Sequence, residues 1–198
     1  MGLYRLKPTF QRTLQPLVDR WVAARLSPDW LTGGALALSF AMGIALWWAP
    51  QHSAWLWFVV VGAGVRLTLN ALDGQVARAQ GRAGPWGALK NELGDRIADT
   101  LIFGAVALLP TVPVRWGVAL LALTWLTSTV GLLGQAVSGQ REYGGWLGKA
   151  DRMVALALLC AVVALTDDWR WLNHALPFLT LLLTLTILQR LRAIYEQC

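Results

Sequence analysis

Six apolar runs separated by short polar turns leave this chain few folds. They fall at about residues 30–48, 54–80, 86–109, 112–137, 151–166 and 172–189. A helix needs about 20 residues to cross a bilayer core, and most of these runs reach or approach that length. Charged residues make up 14% of the 198-residue chain, whereas a soluble domain carries about a quarter. The expected fold class is an all-α integral membrane protein with six transmembrane helices behind an amphipathic juxtamembrane helix. It is read as one domain over residues 1–198, with the amphipathic helix in 1–26 and the six-helix bundle in 27–198. Several of the twelve Trp lie at run ends, including Trp47, Trp48, Trp55, Trp116, Trp169 and Trp171, as in an interfacial aromatic belt.

Residues 3–25 mix Leu, Phe, Val and Trp with Arg and Lys, and Pro8 and Pro16 interrupt the helical pattern. This reads as a helix lying on the membrane surface rather than a cleavable signal peptide. Ser27 and Asp29 are candidate caps for the first span, with Pro28 in its first turn. Basic residues concentrate on one side of the spans. Arg5, Lys7, Arg12, Arg20 and Arg25 precede the first, and Arg78, Arg82 and Lys90 surround the second junction. Arg141, Lys149 and Arg152 surround the fourth junction, and Arg190 and Arg192 follow the last span. The other side has only Arg115 and Arg170. The positive-inside rule then predicts that both termini and the charged stretch around residues 69–99 face the cytoplasm. The net charge of +6 does not point to nucleic acid, because the basic residues flank apolar runs and form no soluble basic module. Cys160 and Cys198 lack metal-ligand spacing and read as core packing and chain end.

One stretch breaks the oily pattern. Between Leu69 and Asp99 lie four of the eleven acidic residues, namely Asp73, Glu92, Asp95 and Asp99. Ionised groups at bilayer depth are costly and mark function by default. On a helix Asn70, Asp73 and Ala77 share a face, and so do Asn91, Asp95 and Asp99, spaced every four residues. Gly74 leaves a bare surface for close approach, Arg78 adds a cation one turn on, and Gly87 precedes the second face by a turn. Two such faces packed together make a cluster of oxygen ligands, which suits Mg²⁺ or Mn²⁺ rather than zinc. A divalent ion beside basic side chains and bare glycines suits a pyrophosphate. Arg66 is read as contacting a phosphate or neutralising a carboxylate, with both left open.

These residues resemble the motif of the CDP-alcohol phosphotransferases, integral membrane enzymes that build phospholipid head groups. The family pattern is D-x-x-D-G-x-x-A-R, eight residues, then G-x-x-x-D-x-x-x-D. Here it stands as Asn70, Asp73, Gly74, Ala77 and Arg78, eight residues, then Gly87, Asn91 and Asp95. Every spacing matches, and the resemblance extends over nearly the whole chain. The first and third aspartates are Asn70 and Asn91, which resembles a bacterial branch with an extra acid one turn later, here Asp99. The resemblance implies Asp73 and Asp95 as ligands of Mg²⁺ or Mn²⁺. Asn70 and Asn91 would be weaker ligands, and Asp99 would restore part of the lost charge. Asp95 would also be the catalytic base. Gly74, Ala77, Arg78 and Gly87 would line the CDP site. The acceptor hydroxyl would attack the lipid-linked phosphorus and expel CMP.

Arg82, Arg141, Lys149 and Arg152 are candidates for holding a phosphorylated acceptor. Positive-inside anchoring accounts for them equally well, so a neutral alcohol stays open. The implied partners are a CDP-linked lipid such as CDP-diacylglycerol, a small alcohol or alcohol phosphate, membrane lipids and a second copy in a homodimer. Two rival readings are a non-catalytic lipid- or nucleotide-binding subunit with a degenerate motif and a small ion transporter. The transporter fits less well, because the acids cluster at one end rather than near the midplane. His52 and His174 fall toward the far face and outside the chemistry.

Overall fold

The computed structural model describes residues 7–198, and those residues form eight helices. They are α1 (Lys7–Thr13), α2 (Gln15–Ala23), α3 (Pro28–Trp48), α4 (Trp55–Ala79), α5 (Pro85–Ala107), α6 (Val114–Ser138), α7 (Lys149–Thr166) and α8 (Arg170–Tyr195). Residues 1–6, including Arg5 and the start of the expected amphipathic helix, lie outside the described residues.

The rest of that N-terminal segment corrects the expectation of one surface helix. It is two short helices broken at Leu14, with Pro16 in the first turn of α2, where a missing N–H costs no helical bond. Leu14 and Val18 are buried against Leu31, Leu72 and Val76, so α2 docks on α3 and α4. The next start follows its sequence signals. The Ser27 hydroxyl accepts from the Asp29 N–H at 3.3 Å, and Pro28 opens α3.

The six long helices close into a ring in the order α3, α4, α7, α8, α6, α5, each packed on its two neighbours. Hydrocarbon solvates Leu as well as protein does, so close packing carries much of the association in a bilayer. A Cβ on Gly117 of α6 would lie 2.4 Å from the Ala107 Cα of α5, so this contact admits only glycine. The main apolar core, with Met42, Leu56, Val59, Ile102, Leu156 and Leu176, fills the ring away from the acidic motif. Outside it, Trp30, Val61, Leu158, Leu165 and Phe178 are exposed, as lipid-facing side chains must be.

Four helices (α3, α4, α6 and α8) are long and apolar enough to cross a membrane by length and composition. The other two carry the charges. Lys90, Glu92, Asp95, Arg96 and Asp99 crowd the first two-thirds of α5, and Lys149, Asp151 and Arg152 sit at the start of α7. The protein is therefore an all-helical, membrane-integral bundle whose polar groups gather at one end.

Candidate active site

The last turns of α4, the first half of α5 and the start of α7 meet at the end of the ring where α3 begins. The two motif faces do not pack directly, as the sequence suggested, because α3 stands between α4 and α5 in the ring. They open instead onto a cleft lined by Thr32 of α3, Arg66 and Asn70 of α4, and Asn91, Gly94 and Asp95 of α5.

Asp73 and Asp95 are both buried, at 6% exposure. Asp73 accepts from the Thr32 hydroxyl at 3.2 Å and from the Gly74 N–H at 2.5 Å. Asp95 forms an ion pair with Lys149 across from α7. Arg78, exposed on the last turn of α4, folds back over Gly74, and a Cβ there would meet its Nη1 at 3.3 Å. Ala77 is half-buried beside it, and Gly87 stands in open space on the first turn of α5.

Asp99 has partners other than the expected metal. One oxygen accepts from Arg66 of α4 and the other from Arg152 of α7, each at 3.2 Å, and all three groups are almost fully buried. Arg152 also donates to the Ser128 hydroxyl of α6 at 3.1 Å. Two fixed cations on one carboxylate are the opposite of what a metal ligand needs at that position. This network joins α4, α5, α6 and α7 through the ring interior.

A second network holds the loop before α7. Glu92 pairs with Arg96 at 3.0 Å and with Arg141. Burial works to lower the Arg141 pKa, but the Glu92 carboxylate outweighs it and holds the guanidinium above its ordinary value. Arg190 of α8, 6% exposed, donates to the Thr127 carbonyl at 2.6 Å and the Gly144 carbonyl at 2.9 Å. The Leu147 N–H donates to the Thr186 hydroxyl at 2.9 Å. Gly145 has φ +108, and a Cβ there would lie 2.3 Å from Thr186 Cγ2. The loop closes on the Gly148 N–H donating to Asp151 at 3.0 Å, which starts α7 with Lys149 facing the cleft acid.

Of the expected site residues, Asn70, Asn91 and Asp95 line the cleft, Asp73 is bonded to the lining Thr32 and Lys149 pairs with Asp95, while Arg152 and Asp99 pair inside the ring. Arg141 serves Glu92, and Arg82 is exposed in the turn after α4. His52 and His174 are exposed, in the turn after α3 and on the first turns of α8. Sequence reasoning missed Thr32, Ser128, Arg96 and the structural role of Arg190. Arg96 had a signal, since Glu92 precedes it by one helical turn. Thr32 and Ser128 look like any small polar residue in a span.

Among the described residues no three acids, histidines or cysteines gather to hold a metal. Two carboxylates with two amide oxygens still fit one hard divalent ion, because Mg²⁺ keeps several waters and needs few protein carboxylates. Arg66, Arg96, Arg152 and Arg190 outnumber Asp73, Asp95 and Asp99 among the buried charges. Such an interior attracts an anion.

A membrane-embedded helical bundle with an oxygen-rich, arginine-backed cleft at one end is the class that fold and site define. Residues 25–187 match the CDP-alcohol phosphatidyltransferase family, and the chain belongs to it. It is 34% identical to the inner membrane protein YnbA of Escherichia coli, over 98% of this chain and 96% of that one. It is 27% identical to the phosphatidylinositol phosphate synthase of Cutibacterium acnes, over 99% of each. The fold matches phosphatidylinositol phosphate synthase of Mycobacterium tuberculosis with CDP-DAG bound, at TM-score 0.73 and 22% identity, covering 93% of this chain and 94% of that one. The same enzyme has been solved with manganese and citrate, where the match covers 91% and 88% at TM-score 0.72 and 22% identity.

Proposed function

We propose that this chain moves the phosphatidyl group of a CDP-linked lipid, such as CDP-diacylglycerol, to the hydroxyl of a small alcohol or polyol phosphate. The observation that carries this reading is that Asp95 lines one cleft with Asn70 and Asn91, with Asp73 bonded to the lining Thr32 and Lys149 against Asp95. Asp95 takes the acceptor's proton, the acceptor oxygen bonds to the lipid-linked phosphorus, and the bond to CMP breaks. Gly74, Ala77, Arg78 and Gly87 line the CDP side, with Arg78 against the diphosphate. Lys149, Arg141 and Arg152 draw a phosphorylated acceptor toward Asp95. Asp73, Asp95 and the amide oxygens of Asn70 and Asn91 would hold Mg²⁺ or Mn²⁺. When bound, that ion supplies positive charge against the diphosphate. That the M. tuberculosis enzyme of the same fold was solved with CDP-DAG and with manganese supports a CDP-lipid donor and a divalent ion.

The same reading takes all six long helices as spans, because the charges of α5 and α7 pair with one another or with α4 inside the ring. It makes the chain one domain in a bacterial inner membrane, with termini and cleft cytoplasmic. A homodimer belongs to this reading, tested by the mass of the detergent-solubilised particle. The two asparagines favour one rival, a subunit that binds nucleotide or lipid without turnover. Purified protein incubated with CDP-diacylglycerol, Mg²⁺ or Mn²⁺ and a panel of alcohols and alcohol phosphates decides between them. CMP release with a new phospholipid mass supports transfer. CDP-lipid binding without CMP from any acceptor supports the rival.

A further inference from the structure

The Asn70 side of the cleft is lined by hydrogen-bond donors. Arg66 is 0% exposed. Its Nη2 donates to Asp99 at 3.2 Å, but its Nε and Nη1 have no hydrogen-bond partner, and neither has the Asn70 Nδ2. Arg66, Asn70 and Asn91 line the same cleft as Asp95. A buried donor left unmade is costly, and more so when charged. Such donors persist where a ligand brings the acceptors.

The two cleft acids are engaged by other partners. Asp73 is tied to Thr32, and Asp95 to Lys149. A cation on the Asn70 side would face a fixed positive charge with two neutral amides for ligands. An anion there meets a guanidinium whose free N–H groups suit phosphoryl oxygens. Asp99 supports the arrangement as a positioning residue. It holds Arg66 from one side while Arg152 occupies its other oxygen.

We propose that Arg66 binds a phosphoryl oxygen of the donor's diphosphate beside Asn70 and Asn91, and that the cleft takes a single divalent cation, at Asp73 and Asp95. The proposal rests on the transferase reading above for the identity of its anion. It departs from that reading in withdrawing Asn70 and Asn91 from the cation's ligands and placing them, with Arg66, beside the anion.

Two measurements on the purified full chain test it without turnover. Bound Mn²⁺ is counted by electron paramagnetic resonance, and CDP binding is measured by calorimetry with and without EDTA. The parent is expected to bind one Mn²⁺ per chain and to retain measurable CDP affinity in EDTA. Arg66→Gln should lower that metal-free affinity by about 10- to 100-fold, as expected for a lost charge-assisted hydrogen bond. The double variant Asn70→Asp with Asn91→Asp leaves Arg66 in place and serves if Arg66→Gln does not fold. Its new carboxylates should occupy Arg66, lower metal-free CDP affinity by about tenfold and raise the count to two Mn²⁺. Two Mn²⁺ in the parent, CDP binding only with metal, or unchanged metal-free affinity in the double variant would each overturn the proposal. CMP release is scored separately. A parent that binds CDP in EDTA but never yields CMP defeats the transferase reading and leaves Arg66 as an anion site. CMP release with two bound Mn²⁺ does the reverse.

Discussion

Asp99 receives two guanidinium groups, one from α4 and one from α7, at 3.2 Å each. Replacing it with Asn removes the only negative member of a buried triad and leaves two arginines facing each other. The expected cost is about 3–5 kcal/mol, read as a large fall in melting temperature in detergent. A variant that melts like the parent but needs more metal would instead restore Asp99 to the metal site. Asp95→Asn should behave differently. An amide cannot accept the acceptor's proton, so CMP release should fall by about 10²–10⁴-fold while the melting temperature stays close to the parent's. Retained turnover would remove Asp95 from the base role. The sequence carried these residues unevenly. Asn70, Asp73, Asn91 and Asp95 stand at fixed helical spacing and could be placed on shared faces before any coordinates. Arg66, Ser128 and Arg190 could not, because their partners come from other helices. The Arg152–Asp99 bond spans 53 residues and the Arg190–Thr127 bond 63.

At the level of helices, apolar run length located the ends of the six long elements to within two residues, except that α8 runs on to Tyr195, beyond the expected end near 189. A change from Leu and Val to Gly, Pro and charge marks where a span ends and not where the helix does. What run length could not convey was which helix stands beside which. Two glycines record that neighbourhood. Gly117→Val would push a side chain into Ala107, where a single Cβ already falls 2.4 Å from the Cα. Overpacking of this kind costs about 1–3 kcal/mol, and the melting temperature should fall accordingly. Gly145→Ala combines a left-handed backbone at φ +108 with a Cβ 2.3 Å from Thr186 Cγ2. It should loosen the loop that delivers Lys149, raising the acceptor's KM more than that of the CDP-lipid. Equal effects on both substrates would show that the loop's role is in stability alone. The N-terminal segment was the weakest reading, because a surface helix and two docked short helices share the same composition. Only burial of Leu14 and Val18 separates them.

Across the whole molecule, the polar end collects both the described N-terminal helices and the C-terminal turn of α8, while Trp47, Trp48, Trp55 and Trp171 stand exposed at the other. Reporter fusions after Cys198 and within 167–170 should therefore report opposite sides of the membrane, and the same side for both would break the six-span arrangement. The order of the ring also bears on how a ribosome can make it. The chain leaves the translocon as α3, α4 and α5, with α3 packed on both others. Arg66 and Asp99 are then already synthesised and can neutralise each other as they enter lipid. Arg152, the second cation of that triad, emerges two helices later on α7 and must be inserted beside a carboxylate that has already been satisfied once. A nascent chain stalled before α7 would thus carry the Arg66–Asp99 pair already closed, with Asp95 still awaiting Lys149.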